Sequence, residues 1–340
     1  MTCTVIVGGF FGDEGKGKIV AYLAVKDNPK ITVRGGVGPN AGHTVVLNQK
    51  EYKLRMLPSA VINYKTSLLI GPGVLVDPNI LLKEIAIFDA YKRVIVDKQS
   101  GVIEEKHIES DRGDSYLQQR IGTTGSGCGP ANVERIMRTA KLCKDIPTLS
   151  SYIGDVPLIV NQSISRGETV LIEGTQGTYI SLIHGTYPYT TTKDVTASAI
   201  CSDVGIGPKV VDDVIVVFKA YVTRVGAGEL LGELSQEEAE KRGWLERATV
   251  TGRTRRSAPF NFELAKRAVM LNSASQIAIT KFDILFPEAK NIKDFSDLPY
   301  EAKKMIEKIE VETKVPVTIV GTGAETEATV DRRREEGFLS

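Results

Sequence analysis

The sequence has little cysteine, histidine or tryptophan, and almost no net charge. Its four cysteines (Cys3, Cys128, Cys143, Cys201) form no C-x-x-C pair. That argues against a disulfide framework or a cysteine zinc site, and fits a reducing cytosol. Net charge is +1, from 43 Lys and Arg against 42 Asp and Glu. No overall field therefore holds the chain to nucleic acid or a membrane surface, although a local basic pocket remains allowed. No apolar run reaches the roughly 18 residues needed to span a bilayer. From Met1 the chain moves at once into a strand pattern with no basic stretch ahead of it, unlike a secretory leader. These absences predict a cytoplasmic protein that uses neither membrane nor nucleic acid.

What is present is glycine, 32 in 340 residues, slightly above the usual share of about 7%. Its placement matters more than the excess. Apolar, β-branched runs read as buried strands at Thr4–Val7, Ile31–Val33, Ser67–Ile70, Arg93–Val96, Thr169–Ile172, Asp213–Tyr221, Ile277–Thr280 and Val315–Val320. Helical periodicity lies between many of them, at Asn79–Phe88, Phe260–Leu271 and Tyr300–Thr313 among others, and Ser235 with Glu238 opens a further helix as a capping box. Strands alternating with helices predict an α/β fold with a mostly parallel central sheet and helices on both faces. Val45–Leu54 reads as a hairpin turning at Asn48–Lys50. With no repeat or linker, one domain over residues 1–340 is expected. The charge-dense run Asp331–Glu336 reads as a solvated terminal face.

The first strand enters Gly8-Gly9-Phe10-Phe11-Gly12-Asp13-Glu14-Gly15-Lys16-Gly17-Lys18, then a helical stretch. Strand, glycine-rich turn and helix make a phosphate cradle, in which backbone N–H groups and the helix N-terminus face the anion. Gly12 to Lys18 satisfies G-x-x-x-x-G-K, but Ile19 replaces the Ser or Thr that would hold magnesium. Asp13 and Glu14 repel phosphate unless a magnesium ion intervenes, and either carboxylate can also serve as a general base. A second loop, Arg34 to Thr44, carries Asn40, Gly42, His43 and Thr44. Spacing alone leaves His43 open between a structural role and a proton donor. Thr251-Gly-Arg253-Thr-Arg255-Arg256 is a local basic cluster, which in isolation reads as a solvated or nucleic-acid-facing loop. Thr280-Lys281-Phe282-Asp283 closes an apolar strand. An ionised Asp283 suits the paired donors of guanine and finds no such pair on adenine.

Gly12–Lys18 with Asn40–Thr44 closely resembles adenylosuccinate synthetase. The likeness continues in family order through Ile121–Gly125 with Gly127, Gly129 and Pro130, Glu173–Gly177, His184–Pro188, Lys219–Tyr221, Thr223–Gly226, Thr251–Arg256 and Thr280–Asp283. The resemblance implies a fold like the P-loop GTPases, a homodimer, and GTP- and Mg²⁺-dependent ligation of IMP and L-aspartate. That reaction runs through 6-phosphoryl-IMP, releases GDP and phosphate, and begins AMP synthesis from IMP.

By the same resemblance Asp13 is the base and, with the Gly42 carbonyl, the magnesium ligand. His43 is the acid, and Lys16 and Gln176 complete the catalytic set. GTP falls to Gly12, Gly15, Lys16, Gly17, Lys18, Gly42, His43, Thr44, Lys281, Asp283, Gly321, Thr322 and Gly323. IMP falls to Asp13, Asn40, Thr124, Gln176, Thr191 and Arg224, with Arg138 reaching the neighbouring subunit's site. Aspartate falls to Thr251, Arg253 and Arg255. The chain is short for the family and resembles its compact archaeal form, with the missing stretches between Asn48 and Ile121 and between Asp283 and Val315. It departs from the family pattern at Ser126, Thr175, Ser181 and across Thr192–Val204. The competing readings are a GTP-binding regulator that joins no substrates and a nucleic-acid binder using residues 253–256.

Overall fold

The computed structural model describes residues 3–247 and 252–339. Ten strands form its central sheet: β1 (Cys3–Gly8), β2 (Ile31–Arg34), β3 (Ser67–Ile70), β4 (Val94–Asp97), β5 (Ile153–Gly154), β6 (Val170–Glu173), β7 (Asp213–Lys219), β8 (Gln276–Thr280), β9 (Val317–Gly321) and β10 (Thr329–Asp331). Their spatial order is β10-β9-β8-β7-β1-β6-β2-β3-β4-β5. All neighbours pair in parallel except β9 and β10.

Both faces of this sheet are buried, which is why its strands read as continuous apolar runs. Alternate residues serve opposite cores. Val5, Val7, Val33, Ile172, Val216, Phe218, Ile277 and Ile279 pack beneath α5 (Val156–Ser165), α6 (Ala197–Val204), α8 (Phe262–Asn272) and α10 (Tyr300–Thr313). Ile6, Leu68, Ile70, Leu171, Ile215, Val217 and Ala278 pack against α1 (Lys16–Asp27) and α2 (Pro78–Ile87) on the other face. Ile19 is fully buried in that second core. An apolar residue where a hydroxyl would be expected is thus part of the packing under α1.

Helix starts follow capping chemistry. Asp77 accepts from the N–H groups of Asn79 and Ile80 at 3.0 and 3.1 Å, ahead of Pro78. Asn261 caps Leu264 at 3.0 Å, and Ser235 caps Glu238 at 3.2 Å to open α7 (Gln236–Lys241). The predicted hairpin pairs His43–Leu47 with Lys50–Leu54. Asn48 and Gln49 both take positive φ at its tip, as a two-residue turn between twisted strands requires.

The C-terminal charge run is a correction. Arg332 and Arg333 are 9% and 3% exposed. The guanidinium of Arg333 donates to both oxygens of Asp27 (2.6 and 3.0 Å) and to Asp331, while Arg332 pairs with Glu310 and Glu336. Carboxylates from α1 and α10, far away in sequence, convert an expected solvated face into a latch beside β10. Among the described residues, no helix is long and apolar enough to cross a membrane.

Candidate active site

Parallel strands put their carboxyl ends on one edge, and ligands bind there in open α/β sheets where the strand order reverses. Here the loops after β1, β2, β6, β8 and β9 meet on that edge around a cavity of about 680 Å³. Its wall includes Gly12, Asp13, Gly15, Lys16, Gly17, Lys18, Asn40, Gly42, His43, Thr44, Thr124, Gln176, Thr191, Arg255, Lys281, Asp283 and Gly323.

The loop after β1 is held open by one carboxylate. Glu14 is 1% exposed. Its Oε1 accepts the N–H groups of Phe10 and Gly12 at 3.0 and 2.8 Å, and its Oε2 pairs with Lys16 Nζ at 2.8 Å. Glu14 is therefore the loop's internal brace, and Asp13 is left as the carboxylate facing the cavity. Lys16 Nζ also donates to the Gln176 carbonyl. Gly15, the N-cap of α1, sits at φ 86°, and a Cβ there would press on the Thr280 side chain at 3.0 Å. Thr280 Oγ1 in turn donates to the Glu14 carbonyl at 2.6 Å, tying the end of β8 to the loop. No side chain caps α1, so its first N–H groups and its dipole face the cavity.

His43 is set by the strand ends of β2 and β6. Its Nδ1 meets Arg34 at 2.8 Å and the Glu173 carboxylate. Glu173 also accepts Ser59 N and Oγ, both at 2.6 Å. Burial would raise the Glu173 carboxyl, but His43, Arg34 and Ser59 outweigh it and hold it at about 2. Burial and then Arg34 push the His43 imidazole down to about 4, against the pull of Glu173. The ring is neutral at pH 7, with Nδ1 committed and Nε2 left for the cavity.

At the far side, Asp283 Oδ1 is buried with no hydrogen-bond partner among the described residues. An acceptor in that state is costly unless a ligand donates to it. Lys18 Nζ donates to the carbonyls of Glu325 and Ala328 (2.9 Å for the latter), binding the loop after β9 to α1. Burial brings its ammonium down to about 8 despite Asp283 and Glu325. Gly321 and Thr322 lie behind Gly323 rather than on the wall; Thr322 donates to the Ile292 carbonyl at 2.6 Å.

Asn40, Gln176 and Thr191 form a chain. Gln176 Nε2 donates to Asn40 Oδ1 at 3.1 Å, and Asn40 Nδ2 to Thr191 Oγ1 at 3.4 Å. Three positions that depart from the family pattern have local uses. Thr175 Oγ1 accepts Val37 N at 3.0 Å and meets Gln176 Oε1. Ser126 Oγ joins Thr124 Oγ1 (2.9 Å) to Arg55 (3.1 Å). Ser181 donates to Asp194 at 2.6 Å, and the 192–204 segment ends in α6, whose Asp203 accepts Gly36 N at 2.8 Å.

Each arginine of the cluster has an oxygen partner. Arg255 pairs with Asp13 at 2.9 Å and with Glu246. Arg253 donates to the carbonyls of Gly122 and Thr123 at 2.8 and 2.9 Å, and stands behind the cavity wall. Arg256 faces Glu233 and the carbonyls of Gly226 and Gly228. Thr251 lies outside the described residues. Arg224 is 2% exposed and off the wall; it donates to Glu229 O (2.7 Å) and Thr186 Oγ1 (2.8 Å), with Phe11 against its guanidinium. It thus supports the Thr186–Tyr189 loop instead of facing the cavity. Arg138 is exposed at the end of α4 (Cys128–Met137), away from this chain's cavity.

Sequence reasoning missed Glu246, Arg247 and Asp111, which line the cavity. Asp111, on α3 (Glu105–Gly113), accepts Thr123 Oγ1 and Gly127 N, both at 2.8 Å, and so spans the loop that carries Thr124. No motif marks any of these residues, because their roles depend on distant partners.

For magnesium, the donor chemistry fits: Asp13 offers a carboxylate that is 28% exposed, and Gly42 lies on the same wall with a backbone carbonyl. A separate Glu104–His107–Glu134 group is the one cluster of three metal-ligand types among the described residues. There His107 Nδ1 accepts the Glu104 N–H at 2.9 Å, and Nε2 lies 3.0 Å from Glu134 Oε2 without an aligned hydrogen bond among the described residues. Lys106 and Lys141 already neutralise the two glutamates. That group is a clasp between α3 and α4.

The family model for adenylosuccinate synthetase matches residues 5–148 and 139–289. Adenylosuccinate synthetase of Methanocaldococcus jannaschii is 55% identical over 338 residues, covering 98% of each chain. That of Archaeoglobus fulgidus is 54% identical over 336 residues, covering 99% of this chain and all of the relative. The solved structure of fully ligated adenylosuccinate synthetase from Plasmodium falciparum superposes with a TM-score of 0.90 at 26% identity, covering 96% of this chain and 99% of that one. A cyanophage S-2L succinoaminodeoxyadenylate synthetase shares the fold, with a TM-score of 0.81 at 24% identity. The chain belongs to the adenylosuccinate synthetase family.

Proposed function

We propose that this protein joins IMP and L-aspartate into adenylosuccinate at the expense of GTP. The observation that carries this is one cavity with three kinds of wall. It holds an uncapped helix N-terminus for phosphates, a buried Asp283 oxygen unpartnered among the described residues for guanine, and an arginine beside Asp13 for a carboxylate.

The 6-oxygen of IMP is a poor leaving group until it is phosphorylated. Asp13 takes the proton from N1, which makes that oxygen nucleophilic toward the γ-phosphorus of GTP. Lys16 and the N–H groups of α1 hold the phosphate oxygens, with Gly12, Gly15, Gly17 and Thr44 shaping their approach. His43 is neutral in the free site; a phosphoryl anion beside Nε2 favours its protonated form and makes it the donor. Magnesium, when bound through Asp13 and the Gly42 carbonyl, supplies charge neutralisation at the phosphates. Asn40, Thr124, Gln176 and Thr191 hold IMP. The amine of aspartate then displaces phosphate at C6, with its carboxylates on Arg255, Arg253 and Thr251.

Asp283 accepts from the N1–H and amine of guanine, with Lys281 and Gly321–Gly323 around the base. Val133, Ile136 and Met137 are 60%, 73% and 67% exposed on α4, next to Arg138. That apolar stripe supports a homodimer in which Arg138 completes the partner's IMP site. One sheet drawing strands from Cys3 to Asp331 supports a single domain, and a substrate set of purine nucleotides and an amino acid supports a cytoplasmic location.

The test is adenylosuccinate formation, followed by absorbance, with each component omitted in turn. Product is expected only when IMP, aspartate, GTP and Mg²⁺ are all present. GTP turnover indifferent to IMP and aspartate would instead mark a nucleotide-binding regulator.

A further inference from the structure

Glu246 stands in the cavity wall beside Arg255, at the proposed amino-acid end, and no motif marks it. It lies in the stretch after α7, where Trp244 stacks flat on Tyr221 with ring centres 4.6 Å apart. The Tyr221 hydroxyl donates to Glu246 Oε1. Lys219 Nζ, itself 2% exposed, donates to Oε2 at 3.0 Å. The third donor is Arg255 Nη1, also on Oε2. The main chains pair as well, with Arg255 N donating to the Glu246 carbonyl at 2.8 Å.

Both carboxylate oxygens are thus committed to protein donors, which leaves Glu246 poorly placed to abstract a proton. Its effect has to pass through Arg255. A guanidinium has five N–H donors in a rigid fork, so fixing Nη1 fixes the direction of the rest. Arg255 Nε lies 2.9 Å from Asp13 Oδ2 as an ion pair, although its N–H makes no aligned hydrogen bond among the described residues. Asp13 on one side and Glu246 on the other flank the planar group, which lines the cavity.

We infer that Glu246, braced by Lys219 and Tyr221, is a positioning residue that orients Arg255 to receive the carboxylate of the amino-acid substrate. This rests on the ligase reading above, and it adds a residue to that site. Loss of Glu246 frees the guanidinium to rotate and leaves Lys219 to compete for the incoming carboxylate. The cost falls on aspartate, whose carboxylate Arg255 receives; it spares GTP at the other end of the cavity and the IMP contacts at Asn40, Thr124, Gln176 and Thr191.

The test is steady-state kinetics of the full chain with GTP, IMP, Mg²⁺ and L-aspartate, for the wild type, Glu246→Gln and Tyr221→Phe. Glu246→Gln is expected to raise the aspartate KM by about ten- to a hundredfold, as for loss of a charged hydrogen bond. The KM values for GTP and IMP should stay within about twofold. IMP-dependent scrambling of ¹⁸O in labelled GTP, measured without aspartate, should persist in the variant. Tyr221→Phe removes one brace and should raise the aspartate KM by a smaller factor. If Glu246→Gln does not fold, Tyr221→Phe decides. An unchanged aspartate KM, or a parallel rise in all three KM values, overturns the inference. A wild type that makes no adenylosuccinate overturns the ligase reading itself; an active wild type with unmoved variants overturns only the role of Glu246.

Discussion

The two ends of the cavity are prepared in different ways. At the proposed nucleotide end, the protein satisfies its own loop and leaves ligand-facing groups bare. Glu14 occupies the Phe10 and Gly12 N–H groups and Lys16, α1 has no side-chain cap, and Asp283 Oδ1 has no partner among the described residues. At the proposed amino-acid end the three arginines of the 253–256 cluster already have oxygen partners: Arg255 on Asp13 and Glu246, Arg253 on Gly122 and Thr123, Arg256 on Glu233. The first is a mould waiting for its ligand, where binding requires little rearrangement. The second must exchange partners, so part of the binding energy there goes into releasing protein contacts. Asp13 stands at the boundary, since it faces the phosphate loop and holds Arg255.

The boundary residue should give the largest effect. Asp13→Ala is expected to lower kcat by roughly 10²–10⁴-fold, with the far-ultraviolet circular dichroism unchanged; near-normal turnover would remove it as the base. His43→Ala should fall in the same direction for the proton donor.

The nucleotide end is probed next. Asp283→Asn should reduce the preference for GTP over ATP by about 10²-fold or more, because an amide cannot accept from both guanine donors. Competing-substrate kinetics measure this directly, and an unchanged ratio would place the base elsewhere.

The internal brace is tested through stability. Glu14→Gln leaves the Lys16 ammonium buried without its counter-charge, and should cost about 3–5 kcal/mol by urea unfolding. A change under 0.5 kcal/mol, the ordinary range for a surface site, would mean that the loop does not depend on Glu14.

The smallest effect is a pH dependence at the amino-acid end. Lys219, Lys281 and Arg255 hold the Glu246 carboxyl at about 2, against the upward push of burial. Its folded value lies below its unfolded value of about 4.3. The stability it contributes is therefore present above that pH and lost as pH falls toward 2. Glu246→Gln should lack this part of the acid dependence, and identical acid profiles would show that the charge is unimportant to stability.

Much of the scaffold was legible because it rests on local pattern. β-branched runs buried on both faces gave the strands their signature, and the periodicity of Tyr300–Thr313 matches α10 at both ends. The Gly12–Lys18 turn was legible for the same reason: strand, glycines and helix are adjacent in sequence. Partnering across the fold was not legible. Nothing near Arg333 announces Asp27, so a buried latch read as a solvated run. Nothing near Arg253 announces the Gly122 and Thr123 carbonyls, and nothing near Arg224 announces Thr186. Charged groups look alike in sequence whether they meet water, ligand or a distant carboxylate; only the packing distinguishes them.

The contrast between the two ends is tested most directly by a crystal structure with IMP, Mg²⁺, a non-hydrolysable GTP analogue and an aspartate analogue bound together. The account predicts an almost unmoved Phe10–Lys18 loop with Asp283 on the guanine edge. It also predicts that Arg255 leaves Asp13 for the ligand carboxylate while keeping Glu246. A rebuilt phosphate loop, or an Arg255 still paired with Asp13 beside a bound aspartate analogue, would contradict it.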